Sequence, residues 1–112
     1  MVIMTLTGKC KTDFEEWYLS QDYSKQCQYE YGQRKALNIF NAMMLPFRWG
    51  VYADFFDSKR ILVSISGLTL SETYIFDIGI NINVEYWGDN FKTMNDARTA
   101  AIEKANEIYN SN

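Results

Sequence analysis

The sequence predicts an α+β fold: a three-stranded antiparallel sheet with helices packed on one of its faces, in the order αααβββα. Three observations carry this. Apolar residues between Trp49 and Phe56 gather on one arc at helical spacing, every even position from Tyr74 to Tyr86 is apolar, and alanine and isoleucine recur along one helical side from Ala97 to Tyr109. Helical, period-two and helical segments in that sequence are satisfied by an antiparallel sheet with a helical layer on its dry face.

The first element is read in "TDFEEWYLS". Thr12 stands three residues before Glu15, the spacing of a capping box, and Phe14, Trp17 and Tyr18 share a helical face, so a short amphipathic helix is expected over Asp13 to Ser20. "QDYSKQCQYEYG" follows with tyrosines out of helical period and ends in Gly32. It is expected to be an irregular connection or a short strand at Gln28 to Tyr31. "QRKALNIFNAMML" sets Ala36, Leu37, Phe40, Met43 and Met44 at helical spacing and is expected to stop at Leu45, because the ring of Pro46 disfavours a helical residue before it. Met43 and Met44 at that spacing read as core, with an adaptable binding face as the alternative.

Pro46 suits the first turn of the next helix, expected over Pro46 to Ser58. Counting ~100° per residue, Trp49, Val51, Tyr52, Phe55 and Phe56 fill one arc, and Gly50, Ala53, Asp54, Asp57 and Ser58 fill the other. "ILVSIS" is a β-branched run that reads as a strand from Ile61 to Ser66, with a loop around Gly67.

The alternation from Tyr74 to Tyr86 describes a sheet with one dry and one wet face. Thirteen residues is long for one strand, so two are expected, Thr73 to Gly79 and Ile82 to Trp87, with one long bent strand as the alternative. A two-residue hairpin loop would flip the inside and outside parity. An odd-numbered loop with a bulge keeps it, and Gly79 or Asn81 can take the positive φ it needs. "WGDN", Trp87 to Asn90, reads as a turn, and Thr93 with Asp96 at capping spacing opens a last helix that runs to Asn110.

Bulk properties narrow the classes of function. The 112 residues suit one compact domain spanning 1–112, and 47% apolar with 16% aromatic residues excludes disorder by low hydrophobicity. One proline and six glycines leave no room for a linker. Net charge is −3 with the acidic excess after residue 45, and no basic run exceeds Arg34-Lys35 or Lys59-Arg60, so a diffuse polyanion-binding surface is not expected.

There is no histidine, and Cys10 and Cys27 lie outside any CxxC unit, so a zinc site lacks ligands and no metal is expected. The start "MVIMTLTGKCK" is too broken for a signal peptide, and no apolar stretch approaches the ~20 residues needed to span a bilayer. These point to a cytoplasmic protein with two free thiols and no membrane partner. No base, nucleophile elbow or phosphate loop appears, so no enzyme activity, catalytic residue or cofactor is expected.

Two features remain as candidate sites. Asp54 and Asp57, three apart on a helix, could share a cation or a proton, but they read as the solvated edge of the helix whose other arc is aromatic. Tyr23, Tyr29, Tyr31 and Trp87 fall outside the buried faces. Exposed tyrosine and tryptophan favour interfaces, which makes these four the expected partner surface. The leading expectation is a small binding protein that occludes a protein partner or self-associates. A small-molecule or nucleotide binder, with Arg48 and Arg98 lining a cavity, is the alternative, and a nucleic-acid module is third.

The order αβββα resembles that of double-stranded-RNA-binding domains, and "KTMNDARTAAIEKA" is similar to their alanine-rich last helix. Those domains hold phosphates with lysines at the start of that helix, where this chain has Met94, Asn95 and Asp96; an aspartate stands where a phosphate would sit. "LTGKCK", "WGVYADFFDS" and "ARTAAIEKANEIYN" together resemble small proteins of phages and prophages of gut bacteria with no assigned activity. That resemblance spans both ends and the middle of the chain, and it implies an origin as a phage accessory or host-takeover protein. In such relatives a helix-ending glycine is expected where this chain has Arg60.

Overall fold

The computed structural model describes residues 6–68, 72–81 and 83–111. Helices α1 (Gly8–Ser20), α2 (Asp22–Tyr31), α3 (Gln33–Ala42) and α4 (Leu45–Ser58) precede strands β1 (Ile61–Leu68), β2 (Thr73–Ile80) and β3 (Asn83–Phe91), and α5 (Met94–Asn110) closes the chain. The three strands form one antiparallel sheet in the order β1-β2-β3, so the fold is α+β with the expected sequence of helices, sheet and helix.

One buried cluster joins the helices to one face of the sheet. Ile61 and Val63 of β1 and Phe76 and Ile78 of β2 point into it, and β1 and β2 register Ile61 on Ile80 and Val63 on Ile78, so these side chains share a face. From α5 that face receives Ala97, Ala101, Ile102, Ala105 and Ile108, all buried; the alanines let the helix lie close to the strands. Tyr52, Phe55 and Phe56 of α4 are buried as their arc requires, and Phe14 of α1 sits among aromatic rings, 5.1 Å from Tyr52, 5.3 Å from Phe55 and 5.5 Å from Phe40 between centroids. Rings offset or tilted at such distances add attraction beyond the area they bury.

Several local expectations are corrected. Helix α1 begins at Gly8, and Thr12 lies inside it with its hydroxyl on Gly8 O, so the Thr12–Glu15 capping box does not form. The start of α1 is capped from the far end of the chain: Asn106 Oδ1 accepts Thr7 N–H at 2.9 Å and Asn110 Oδ1 accepts Cys10 N–H at 2.8 Å. Asp22–Tyr31, Gln28 to Tyr31 included, is a helix rather than a connection or a strand. It buries only Ser24, whose hydroxyl lies 2.8 Å from Tyr18 O and 2.9 Å from Gln21 O. Gln28 Nε2 and Lys25 Nζ both donate to Leu19 O, at 2.7 and 3.0 Å. Polar side chains that take up the orphan carbonyls at the end of α1 hold this helix, and such a joint leaves no apolar period in the sequence.

Helix α3 stops at Ala42, before the expected Leu45, and Met43 and Met44 are exposed corner residues rather than core. The buried Arg48 of α4 fixes that corner by donating from Nε to Met43 O at 2.8 Å. Gly67 belongs to β1, and the rest of the expected loop, residues 69–71, lies outside the described residues.

The β2–β3 hairpin has a two-residue loop, since Ile80 pairs with Asn83; Asn81 takes φ 61°, and Ile82 lies outside the described residues. Parity is restored inside the strand, where Gly79 pairs with Val84 and Ile78 with Tyr86, leaving Glu85 as the extra residue of a bulge. The odd-numbered loop is therefore not formed, and Val84, an even position, is turned to the open face. Trp87 to Asn90 is not a turn but part of β3, which runs to Phe91.

Candidate functional site

Helices cover one face of the sheet, and among the described residues the other face is bare. Its residues follow from register: Leu62 pairs with Gly79 and Gly79 with Val84, Ser64 with Asp77 and Asp77 with Trp87. Three of these are large and apolar, with Leu62 54%, Val84 62% and Trp87 74% exposed. Gly79, which has no side chain, stands in register between Leu62 and Val84. Asp77 separates Ser64 from Trp87 in the next row. An apolar strip with an indole at one end and a carboxylate and a hydroxyl alongside has the make-up of a protein contact surface, in which tryptophan contributes most per residue.

The structure does not bring the four expected aromatic residues together. Tyr23, Tyr29 and Tyr31 lie on α2, which packs on α1 and α3, whereas Trp87 is on β3, beside β2 and α5. Tyr23 and Tyr31 share one helical row, eight residues apart, with Cys27 between them, and Tyr29 faces the other way and is 89% exposed. Tyr23 packs on Tyr18 at 5.9 Å and the Lys35 ammonium lies 5.2 Å from the Tyr31 ring, so both are partly engaged within the fold. Leu62 and Val84 are the members of the surface that sequence reasoning missed. Leu62 had a signal: in "ILVSIS" it is the one apolar residue in register with Ser64 and Ser66 on the wet side. Val84 had none until the bulge at Glu85 was known.

Asp54 and Asp57 are exposed on α4, opposite its buried arc, as the helical count required. No group of three or more metal-ligating residues occurs among the described residues. Arg48 and Arg98 line none of the four cavities described. Arg48 is spent on Met43 O and, at 3.3 Å, on Tyr52 Oη, and Arg98 donates to Asn95 Oδ1 at 3.0 Å. The largest of those cavities, about 720 Å³ between the end of β3 and the first turns of α5, opposes Lys92 with Asp96 and Glu103 and presents no concentrated charge.

A second polar cluster lies where α1, α5 and the end of α4 meet. Tyr109 Oη donates to Asp13 Oδ2 at 2.6 Å, and Lys9 pairs with the same oxygen. Those hydrogen bonds, from Lys9 first and Tyr109 second, hold the Asp13 carboxyl below its ordinary range, and burial followed by the bond to Asp13 raises the Tyr109 phenol. Cys10 beneath them is buried and its thiol is pushed up to about 12, by burial and then by Asp13. A thiol held protonated is a weak nucleophile, so this cluster ties helices together rather than presenting a reactive group. Cys10 and Cys27 are both free. No helix among the described residues is long and apolar enough to cross a membrane.

Comparison with protein-family models, with curated proteins and with solved structures found no match to this chain.

Proposed function

We propose that the chain is a non-enzymatic interaction protein that acts by covering a surface of a protein partner, with the open face of its sheet as the contact. The observation that carries this is the exposure of Leu62, Val84 and Trp87 on one uncovered sheet face. Tryptophan costs little side-chain entropy when it docks and buries a large area, whereas leaving it in water gains the fold nothing. The resemblance to phage accessory proteins and the two free thiols support a place of action in the reducing cytoplasm of a bacterial host.

Affinity capture from a host lysate with the parent chain, Trp87→Ser and Tyr29→Ser tests it. A protein retained by the parent and Tyr29→Ser but lost from Trp87→Ser is the expected result. Capture that is indifferent to Trp87, or no capture by the parent, overturns the proposal.

A further inference from the structure

The sheet has two free edges among the described residues, and they are built differently. Strand β3 carries Glu85 and Asp89 and shifts register twice, devices that stop an edge from pairing with another strand. Strand β1, "ILVSISGL", has eight residues, no charge, no proline and an unbroken register with β2. Nothing blunts it.

The hydrogen-bond phase of that edge can be read. Asn81 N–H donates to Arg60 O at 3.1 Å, and β1 then pairs with β2 without a shift, so Leu62, Ser64, Ser66 and Leu68 bond inward to β2. The backbone N–H and C=O groups of Ile61, Val63, Ile65 and Gly67 point outward. An edge of alternate free donors and acceptors accepts one kind of occupant, an extended strand with apolar residues at every second position.

We propose that the occupant is β1 of a second copy, paired antiparallel about a twofold axis through Ser64 to make one continuous six-stranded sheet. In that register Ile61 hydrogen-bonds Gly67 of the second copy and Val63 hydrogen-bonds Ile65 of the second copy, so all four outward backbones on each chain are used. On the helix-covered face Val63 meets Ile65 and Ile61 lies over Gly67, and on the open face Leu62 meets Ser66. Because β1 carries no charge, pairing with itself sets no like charges opposite each other in a chain whose net charge is −3. The twofold keeps both open faces on the same side, which doubles the surface that carries Trp87. The inference rests on the edge of β1 and not on Trp87, so a chain that stays monomeric overturns the dimer and leaves the partner surface to its own test.

Ser64 faces its own symmetry mate, which allows a charge-swap experiment. It is half-buried on the open face, so a long charged side chain can extend into solvent there. Light scattering with size exclusion over a concentration series should give twice the 13.1 kDa chain mass for the parent, and the single-chain mass for Ser64→Lys and for Ser64→Glu. An equimolar mixture of the two variants should regain the dimer. In a Cys27→Ser background, Ser64→Cys should form an intermolecular disulfide, because directly opposed residues of a non-hydrogen-bonded pair lie within disulfide reach, and Ser66→Cys should not. A monomeric parent, a dimer that survives Ser64→Lys, or equal cross-linking at 64 and 66 overturns the proposal.

Discussion

Asn110 in the last turn of α5 accepts the Cys10 N–H of α1 at 2.8 Å and returns its own amide hydrogen to Thr7 O at 2.9 Å, across about a hundred residues of chain. The Asn110 side chain thus caps a helix it does not belong to. Gly8 makes room for it: φ there is 60°, and a Cβ would lie 3.1 Å from Asn110 Oδ1. Asn110→Ala leaves the start of α1 without this donor and acceptor and is expected to cost about 1 kcal/mol of unfolding free energy in urea. Asn110→Asp, which keeps the acceptor for Cys10, should recover part of the loss.

Gly88 of β3 sits over the buried ring of Phe76. A Cβ at that position would come within 2.4 Å of Phe76 Cε2. Gly88→Ala must displace the ring or the strand, and a loss of about 1–3 kcal/mol is expected, as for other overpacked cores. Phe76→Leu in the Gly88→Ala chain should relieve the clash and make the two changes non-additive, which a double-mutant cycle in urea measures.

Arg60 ends the turn after α4 with φ 63°, a left-handed conformation that costs a residue with a Cβ about 1 kcal/mol. Its N–H bonds Asp57 O at 2.9 Å, and its carbonyl receives Asn81, so the conformation is fixed from both sides. Arg60→Gly removes the strain and is expected to stabilise the fold by about 0.5–1 kcal/mol. Thermal unfolding of the two proteins side by side gives the sign directly.

The buried Cys10 thiol makes stability fall in alkali. Its folded value is about 12 against an ordinary 9.0, so the folded state holds the proton more tightly, and the contribution is complete below pH 9 and lost as pH rises towards 12. Within that window the slope approaches about 1.4 kcal/mol per pH unit for this group. Cys10→Ala should flatten the limb, and a thiol reagent at neutral pH should modify the half-buried Cys27 well before Cys10. At the acid end the sign is opposite. The lowered Asp13 contributes stability above the ordinary carboxylate range that is lost as pH falls through its folded value, and Asp13→Asn should remove that dependence.

What the sequence disclosed was whatever apolar periodicity could write. The aromatic arc of α4, the alanine side of α5 and the alternation of β2 all follow from burial: Tyr52, Phe55, Phe56, Phe76, Ile78 and the alanine side of α5 are buried, while Trp49, Val51, Tyr74, Ile80 and Tyr109 are half-buried. Helix α2 was invisible because Ser24, Lys25 and Gln28 hold it through the carbonyls of α1, and polar joints carry no period. The hairpin misled for a related reason. Thirteen alternating residues are compatible both with an odd loop and with a two-residue loop followed by a bulge, and only backbone pairing distinguishes Glu85 as the extra residue. Of the candidate surface, Trp87 was legible as an aromatic residue without a place in the core, while Val84 was assigned to the wrong face by the same parity argument.

The proposed contact of the open sheet face with another protein is tested most directly by a photo-cross-linking side chain placed at Trp87. Irradiation in host lysate should join position 87 to a discrete partner protein, while the same group at Tyr29, which is still more exposed but lies on α2, should give none. An adduct from position 29 alone, or no adduct from either, would contradict it.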